Sequence, residues 1–442
     1  MYTKLSTTLR KNSQGKKNRK PHCMLAALLA LFAAGVSSAA LSCSSWLERD
    51  NPIVIWTDNA EFASCMELFN SMHEANAVIV YKKDPARSLP PAKDELPPDL
   101  IVSPWLSGTK LRRNFAPVDY AFGDKKLKRE AFYEKLLDYG RAEDRQYLLP
   151  VSFNLPAMVF NEKNASFIGD DHILTIEAIK EASAAFTVKD EKSGAYTAMG
   201  FAPSWNTDFV YQVTKLKNTG YEAKDASFSY DEEALKAAVN EMRNWTGAYN
   251  TDTQMEQSFQ FKYLYMPEYK QLVGDRCLFT YMSSSEFFTL LRNSTPDLSF
   301  RWLSDGQRTM IADDCVYLGL YRHARSPRKA QLFIQWFFTE STQRQLLERS
   351  RNMKLDTEGF GIAGGFSSLK NVTNRIFPSY YRELLGNLPA EEYLEMPAVL
   401  PVRWQSIKRR VLLPYLAEAV NTNAEPSKTL EERIEEWNRQ AE

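Results

Sequence analysis

The sequence predicts a two-lobed α/β protein in which each lobe is a mixed, mainly parallel sheet flanked by helices, and a multi-strand hinge joins the lobes. The chain has 442 residues, 44% of them apolar, which is more than a single hydrophobic core usually holds. Short apolar runs alternate with helical patterns, which is typical of strand, helix, strand units. Residues 146–163 (QYLLPVSFNLPAMVFNEK) contain two apolar runs interrupted by Pro150 and Pro156, and this predicts an extended crossing from one sheet into another.

The amino-terminal segment has the pattern of an export signal. Residues 1–42 carry seven Lys or Arg and no acidic residue, and an apolar run at 24–36 is followed by small residues, so we expect 1–42 to be a signal peptide. The run is shorter than the ~20 residues that cross a bilayer. The sequence Ala40-Leu41-Ser42-Cys43 resembles a lipobox, which predicts a lipoprotein anchored through Cys43 at the outer face of the cytoplasmic membrane, in the periplasm. Ordinary cleavage near Ala40, releasing a soluble protein, is the alternative.

The rest of the chain is mildly acidic and has few cysteines. Without residues 1–42 it contains 48 basic and 55 acidic residues, a net charge of −7, which argues against a nucleic-acid partner because such proteins need a basic surface. Cys65, Cys277 and Cys315 are an odd number without CxxC spacing, so they predict buried hydrophobic side chains and not a disulfide framework or metal site.

The first predicted strands place candidate ligand-binding residues at one edge of a sheet. Strands at 52–57 and 77–81 flank a one-sided helix at 61–72, and a third strand at 99–103 follows a proline-rich loop, which predicts parallel pairing. In open parallel sheets, ligands bind beyond the carboxyl ends of the strands. The residues at those ends are Trp56, Asp58 and Trp105.

Further candidates come from the second half of the chain. Trp205 lies in a predicted strand-to-helix turn of the kind that faces a cleft, although a packing role is the alternative. Tyr281 belongs to a predicted return crossing at 274–282, and the Ser283 that follows can either hydrogen-bond a ligand or cap the next helix. A third crossing fits residues 314–322.

The sequence contains no recognisable catalytic motif, metal motif or cofactor motif. There is no HExxH pattern or nucleophile elbow, and the glycine-rich segment 359–368 lacks a P-loop lysine or GxGxxG spacing. The pairs Asp170-Asp171 and Asp313-Asp314 could be imagined as the acid and base of a glycosidase. Neighbours on an extended chain point in opposite directions, so we interpret each pair as a turn or cap.

Several segments together carry a family resemblance. They are Trp56-Thr57-Asp58 after the first strand, Pro98-Asp99-Leu100-Ile101-Val102, the crossing with Leu149-Pro150 and Asn154, and the helix opened by Ser326-Pro327. In these segments the chain resembles the solute-binding proteins of ATP-binding cassette (ABC) sugar importers, of the maltose/oligosaccharide type (family 1). It departs from that pattern in two places, because the Asp that often follows the third strand is absent and Ser283-Ser284-Ser285 replaces Gly-x-Trp.

The resemblance implies a periplasmic-binding-protein type II fold. The implied lobes cover 43–152 plus 278–318, and 153–277 plus 319–442, with hinge residues Val151, Ser152 and Asn154. It also implies a monomer without enzymatic activity, cofactor or metal, which binds a carbohydrate, with Trp404 at the cleft, and delivers it to an ABC permease. The departures leave open a non-sugar polar solute, such as a polyamine or glycerophosphodiester, and an exported carbohydrate hydrolase or a structural lipoprotein on the same scaffold.

Overall fold

The computed structural model describes residues 51–123, 126–224, 227–294 and 297–441. The expected signal peptide and the lipidation site at Cys43 lie outside these ranges. In chain order the described strands are β1 (Ile53–Thr57), β2 (Ala77–Tyr81), β3 (Leu100–Ser103), β4 (Phe115–Ala116), β5 (Arg141–Ala142), β6 (Arg145–Gln146), β7 (Leu148–Phe153), β8 (Pro156–Asn161), β9 (Ile173–Thr175), β10 (Val188–Lys189), β11 (Tyr196–Ala198), β12 (Glu222–Lys224), β13 (Ser227–Ser229), β14 (Thr280–Ser283), β15 (Leu298–Ser304), β16 (Thr309–Met310), β17 (Val316–Tyr321), β18 (Phe366–Ser367) and β19 (Leu394–Glu395).

The helices lie on the faces of these sheets and between them. In chain order the described α-helices are α1 (Phe62–Met72), α2 (Thr109–Arg112), α3 (Glu134–Tyr139), α4 (Ile176–Phe186), α5 (Thr207–Leu216), α6 (Glu232–Trp245), α7 (Thr253–Lys262), α8 (Glu268–Val273), α9 (Ser284–Asn293), α10 (Pro327–Phe337), α11 (Glu340–Asn352), α12 (Phe377–Tyr380), α13 (Trp404–Ile407), α14 (Leu413–Ala419) and α15 (Leu430–Ala441). A π-helical turn, Lys408–Leu412, joins α13 to α14.

The largest sheet has seven strands and is built around the predicted strand, helix, strand unit. Its order is β18-β7-β17-β3-β1-β2, with β4 paired to β17. Strand β1 is parallel to β2 and β3, whereas β17 is antiparallel to β3 and β7. Helix α1 makes the crossover and buries Phe62, Cys65 and Phe69, each large side chain contributing about 1.5–3 kcal/mol. The predicted parallel pairing is confirmed.

A second sheet of four strands, in the order β14-β8-β15-β9, receives the chain at the predicted crossing. Strand β7 belongs to the seven-stranded sheet and β8 to the four-stranded one, so the crossing at 146–163 is confirmed. The return predicted at 274–282 is wrong, because β14 pairs with β8 and the chain stays in the four-stranded sheet through β15. An apolar run specifies a buried strand but not its partner. The chain re-enters the larger sheet at β17, where the third crossing was predicted.

Strand pairing bears on where the lobes divide. Strands β14 and β15 lie within 278–318, a range expected in the first lobe, yet they pair with β8 and β9. Helix α10 lies within a range expected in the second lobe, and its Phe333 and Phe337 are buried in the same hydrophobic cluster as β1. The exact limits of the lobes stay a prediction.

Two large hydrophobic clusters form the core. The first contains β1, β3, β7 and β17, and the second contains residues of α4, α5 and α6 together with Trp404. The four-stranded sheet separates the clusters, with Phe300 and Trp302 on the first side and Met158 and Phe160 on the second. The three cysteines Cys65, Cys277 and Cys315 are buried and unpaired, as predicted.

Candidate functional site

A cavity of about 720 Å³ is lined by β14 of the four-stranded sheet and by loops next to β3 and β17 of the seven-stranded sheet, and we call it the cleft. Trp105 follows β3 of the seven-stranded sheet, and Tyr281 lies in β14 of the four-stranded sheet. Asp314 belongs to the segment that leads the chain into β17. Cavities of ~300–1,000 Å³ are typical of small-molecule sites, so the cleft is the candidate ligand site.

Trp105 has a backbone conformation that bulky residues rarely adopt. Its φ angle is 64°, in the left-handed region, which costs a non-glycine residue about 1–3 kcal/mol and is found most often at functional sites. The side chain is half-buried and packs against both hydrophobic clusters. The sharp turn after β3 thus brings an indole to the wall of the cleft.

Asp313 is the centre of a buried polar cluster in the cleft wall. Its carboxylate accepts hydrogen bonds from Lys215 Nζ at 2.8 Å, Tyr211 Oη at 2.6 Å and Trp404 Nε1 at 2.9 Å. The side chains of Asp313 and Lys215 are each only 5% exposed. Burial alone would raise the pKa of Asp313, but the charges of Lys215 and Lys408 and the donated hydrogen bonds lower it to about 2. Asp313 is therefore an ionised structural anchor.

Asp314, the next residue, has a different environment. It is exposed in the cleft and forms no hydrogen bond or ion pair with another described residue. The protein around the recess and the charge of Asp313 raise the pKa of Asp314, while its own N–H and the more distant Lys408 and Lys215 partly offset this. Asp313 and Asp314 lie in a turn, as predicted for this pair. Interpreting this pair as a simple turn or cap missed that both residues line the cleft.

Basic residues after Trp404 also reach the cleft. Lys408 Nζ pairs with Asp208 at 2.8 Å and lies 4.3 Å from the centre of the Tyr211 ring. Arg409 is exposed at the cleft, and no hydrogen bond or ion pair joins it to another described residue. Both residues lie in the π-helical turn Lys408–Leu412 and line the cleft.

The remaining cleft carboxylates already have partners. Ser283 and Glu286 form a reciprocal capping box at the start of α9, so capping, one of the two predicted roles of Ser283, is confirmed. Glu268, at the start of α8, accepts a hydrogen bond from Thr280 Oγ1 at 2.5 Å. These pairings fix the local backbone and leave Asp314 as the acid without a described partner.

Four of the seven predicted ligand-binding residues line the cleft, and they are Trp105, Tyr281, Ser283 and Trp404. Trp404 is nevertheless fully buried, with its indole N–H committed to Asp313, so it forms the floor of the cleft. Burial and the charge of Asp208 raise the pKa of Tyr281, against a hydrogen bond with Gln212. The roles of these residues in ligand binding stay predictions.

The other three predicted residues lie outside the cleft lining. Trp56 is completely buried in the first cluster, with Lys82 Nζ 4.4 Å from its ring centre. Asp58 follows β1, where desolvation of its carboxyl group by nearby protein raises its pKa despite a hydrogen bond from Ser103. The strand end was located correctly, but side chains alternate along a strand and Trp56 points into the core.

Trp205 has the packing role that the sequence left open. Its indole N–H donates to the carbonyl of Glu256 at 3.0 Å, and its ring stacks on Phe259 with centroids 5.7 Å apart. The neighbouring Asn206 and Asp208 line the cleft instead. Their position at the start of α5, two residues apart after a Pro-Ser-Trp turn, is the sequence signal that could have identified them.

The predicted hinge residues form hydrogen bonds with other chain segments near the point where the chain passes between the two sheets. Asn154 Nδ2 donates to Gly364 O at 2.9 Å, its Oδ1 accepts from Ser284 Oγ at 2.7 Å, and its backbone carbonyl accepts from Ala312 N at 2.9 Å. The neighbouring hinge residues also bond the glycine-rich segment, with Ser152 Oγ donating to Ala363 O and Ser368 N donating to Val151 O. Asn154 therefore links four segments at the point where the chain passes between sheets.

The described residues show no arrangement for a metal or a membrane span. No group of three His, Cys, Asp or Glu side chains within them could hold a metal ion. None of the helices in that part of the chain has both the length and the apolar character needed to cross a bilayer.

Comparisons with known proteins give a clear answer for the fold. No protein-family model matches the chain, and no curated protein matches its sequence. Among solved structures, an ABC substrate-binding protein from Listeria monocytogenes in complex with cycloalternan has a TM-score of 0.58 at 12% identity, covering 88% of this chain and 98% of that one.

Two further solved structures agree with this result. The GacH receptor of Streptomyces glaucescens, solved unliganded and with acarbose, has a TM-score of 0.57 at 13% identity over 88% of this chain and 97% of that chain. The cyclic α-maltosyl-1,6-maltose binding protein of Arthrobacter globiformis has a TM-score of 0.57 at 13% identity, over 87% and 97%. At such identities the likeness is one of fold, and it confirms the two-lobed solute-binding-protein fold predicted from the sequence.

Proposed function

We propose that this protein is the solute-binding component of an ABC importer, which captures a sugar or oligosaccharide between its lobes and delivers it to the membrane permease. The observation that supports this is the cleft itself, where Trp105 and Tyr281 stand among Asp208, Gln212 and Asp314. Aromatic faces stack on sugar rings, and carboxylates and amides hydrogen-bond hydroxyl groups. The matched proteins were solved with cycloalternan or acarbose or are described as binding a cyclic maltosyl-maltose, which favours the same ligand class.

Capture would work by a shift of population between open and closed forms. The cleft takes residues from β14 of the four-stranded sheet and from loops next to the seven-stranded sheet, so a ligand gains its full set of contacts only when the lobes close on it. Such a ligand stabilises the closed form by its difference in affinity for the two states. Asn154, which links the crossing segments, is the proposed pivot.

The protein would work outside the cytoplasm, anchored by lipid on Cys43, as a monomer. The lipobox-like sequence and the apolar run before it support this part of the proposal. Growth with a radiolabelled fatty acid should label the wild-type protein and leave Cys43→Ser unlabelled. An unlabelled wild type would favour the alternative, cleavage near Ala40.

Binding without turnover fits the cleft better than hydrolysis. A glycosidase needs a protonated acid and a second carboxylate that is free to act as nucleophile or base, whereas the carboxylate of Asp313 is buried and already accepts hydrogen bonds from Tyr211, Lys215 and Trp404. A polyamine is the second candidate ligand, because carboxylates outnumber cations in the lining. A glycerophosphodiester has less support, since its phosphate would face those carboxylates.

Isothermal titration calorimetry and thermal shift test this function. The panel contains maltotriose, mannotriose, a cyclic α-glucan, acarbose, spermidine and glycerophosphocholine. A saccharide that binds should raise the melting temperature with the logarithm of its concentration and be recovered intact afterwards. Binding of spermidine alone would favour the second candidate, and release of shortened sugars would favour the hydrolase.

A further inference from the structure

The cleft has an excess of negative charge that a neutral sugar does not need. Its lining contains five carboxylates and two cations, the carboxylates being Asp208, Glu268, Glu286, Asp313 and Asp314 and the cations Lys408 and Arg409. Amide oxygens, like carboxylates, accept hydrogen bonds from hydroxyl groups, so a neutral sugar can be bound without this number of acids.

Most of these acids already form ion pairs or hydrogen bonds with other residues of the protein. Asp313 pairs with Lys215 and Asp208 with Lys408, while Glu286 belongs to the capping box of α9 and Glu268 accepts from Thr280. Asp314 is different, because it forms no bond to another described residue and is exposed to the cleft. One carboxylate is thus available to a ligand.

We propose that the saccharide bound in the cleft carries a protonated amine, and that Asp314 is the residue that pairs with it. This inference rests on the proposed function and narrows its ligand class to amino sugars. A hydrogen bond between an ammonium group and a carboxylate is roughly twice as strong as a neutral one. Trp105 and Tyr281 add aromatic faces, which attract cations as well as sugar rings.

Arg409 argues for a ligand with few positive charges. Its guanidinium is exposed at the same cleft and is joined to no described acidic partner, so it would repel a chain of several ammonium groups. It would also donate hydrogen bonds to the hydroxyl and ring oxygens of a sugar. An amino sugar satisfies both Asp314 and Arg409, whereas a linear polyamine satisfies only Asp314.

Calorimetry of the full chain with matched sugars tests this assignment. The pairs are glucose with glucosamine, galactose with galactosamine, and cellotriose with the same trimer in which one glucose is replaced by glucosamine, each differing in a single hydroxyl against ammonium. At least one amino sugar should bind about tenfold or more tightly than its neutral counterpart, which corresponds to 1.4 kcal/mol. Asp314→Asn should reduce that ratio to about twofold or less, because the amide keeps the shape but loses the charge.

A matched control and the contrary outcomes separate this inference from the proposed function. Asp171→Asn makes the same substitution in the other Asp-Asp pair, at an exposed position outside the cleft, and should keep the wild-type ratio. If neutral saccharides bind and no amino sugar is preferred, or if Asp314→Asn keeps the preference, the inference is overturned and the proposed function stands. If spermidine binds and no sugar of either kind does, the proposed function fails as well.

Discussion

The indole N–H of Trp404 donates to the carboxylate of Asp313 at 2.9 Å, although 91 residues separate them in the chain. The same carboxylate neutralises Lys215, which is almost fully buried. Trp404 and Asp313 therefore hold the carboxyl-terminal helices against the segment that re-enters the larger sheet. This contact forms the floor of the cleft, so the ligand site depends on it.

Replacing Asp313 by Asn should destabilise the protein strongly. The change leaves the ammonium of Lys215 buried without its counter-charge, and breaking a buried pair costs about 3–5 kcal/mol. We expect this loss in the free energy of unfolding measured by urea denaturation. Glu241→Gln is the control, because it removes the partner of Lys217 in a half-exposed pair that is worth about 1 kcal/mol or less. Equal losses in the two variants would contradict a structural role for the buried pair.

Truncating Trp105 should weaken ligand binding more than it weakens the fold. Its ring is half-buried at the cleft, so Trp105→Ala removes a stacking face while the left-handed backbone conformation is retained. We expect a loss of about tenfold in saccharide affinity, a typical cost for one aromatic contact. Calorimetry with a saccharide that binds the wild type provides the measurement.

Tyr265→Ala is the matched control for Trp105→Ala. Tyr265 is 96% exposed and lies outside the cleft lining, so its removal should leave both affinity and stability near the wild-type values. An equal loss of affinity in both variants, or none in Trp105→Ala, would remove Trp105 from the site.

Stability should fall as the pH rises from 4.5 to about 7 because of Glu61. Burial raises the pKa of Glu61 to about 7 from 4.5, although Gly364 N–H donates to the carboxylate. The folded protein thus binds a proton that the unfolded chain releases between these values. The stabilisation is complete below pH 4.5 and is lost toward pH 7, by at most about 3 kcal/mol.

Glu61→Gln should remove this part of the pH dependence. Urea midpoints measured from pH 4.5 to 8 should fall less for Glu61→Gln than for the wild type. Glu67→Gln, on the exposed side of the same helix and paired with Arg349, should keep the wild-type curve. The prediction is wrong if the curves of the wild type and Glu61→Gln are parallel.

Sequence patterns predicted the elements of this fold better than their partners. The periodicity of α1 and the apolar runs of β1, β2 and β3 located a parallel unit, since burial of one face depends on local spacing. The two prolines located the crossing at β7 and β8. The strand that pairs with β14 could not be predicted from the sequence, because a short apolar run can pair with the edge strand of either sheet.

The candidate site was harder to predict because it depends on side-chain direction and long-range contacts. Trp56 and Trp105 were both predicted to bind a ligand because both lie at the ends of parallel strands. Trp56 nevertheless points into the core, whereas Trp105 lines the cleft. Asp314 could not be distinguished from Asp313 by sequence, since Lys215, which neutralises only Asp313, lies 98 residues away. Such pairings are set by tertiary structure.

Removing the side-chain amide of Asn154 should loosen the connection between the sheets. Asn154→Ala loses the bonds to Gly364 and Ser284, at a cost of about 1–3 kcal/mol. Because these bonds join segments from both sides of the crossing, the open and closed populations should shift and the saccharide affinity should fall. Small-angle scattering with and without ligand, together with calorimetry, measures both effects.

Asn70→Ala separates a hinge effect from a simple loss of stability. Asn70 also makes two side-chain hydrogen bonds, both to the backbone of Ala77 within the seven-stranded sheet unit. We expect it to destabilise the protein by a similar amount, about 1–3 kcal/mol, without changing the affinity or the scattering of the ligand-bound form. If Asn154→Ala behaves in the same way, its hydrogen bonds stabilise the fold but do not control closure, and the pivot must lie elsewhere among the connections.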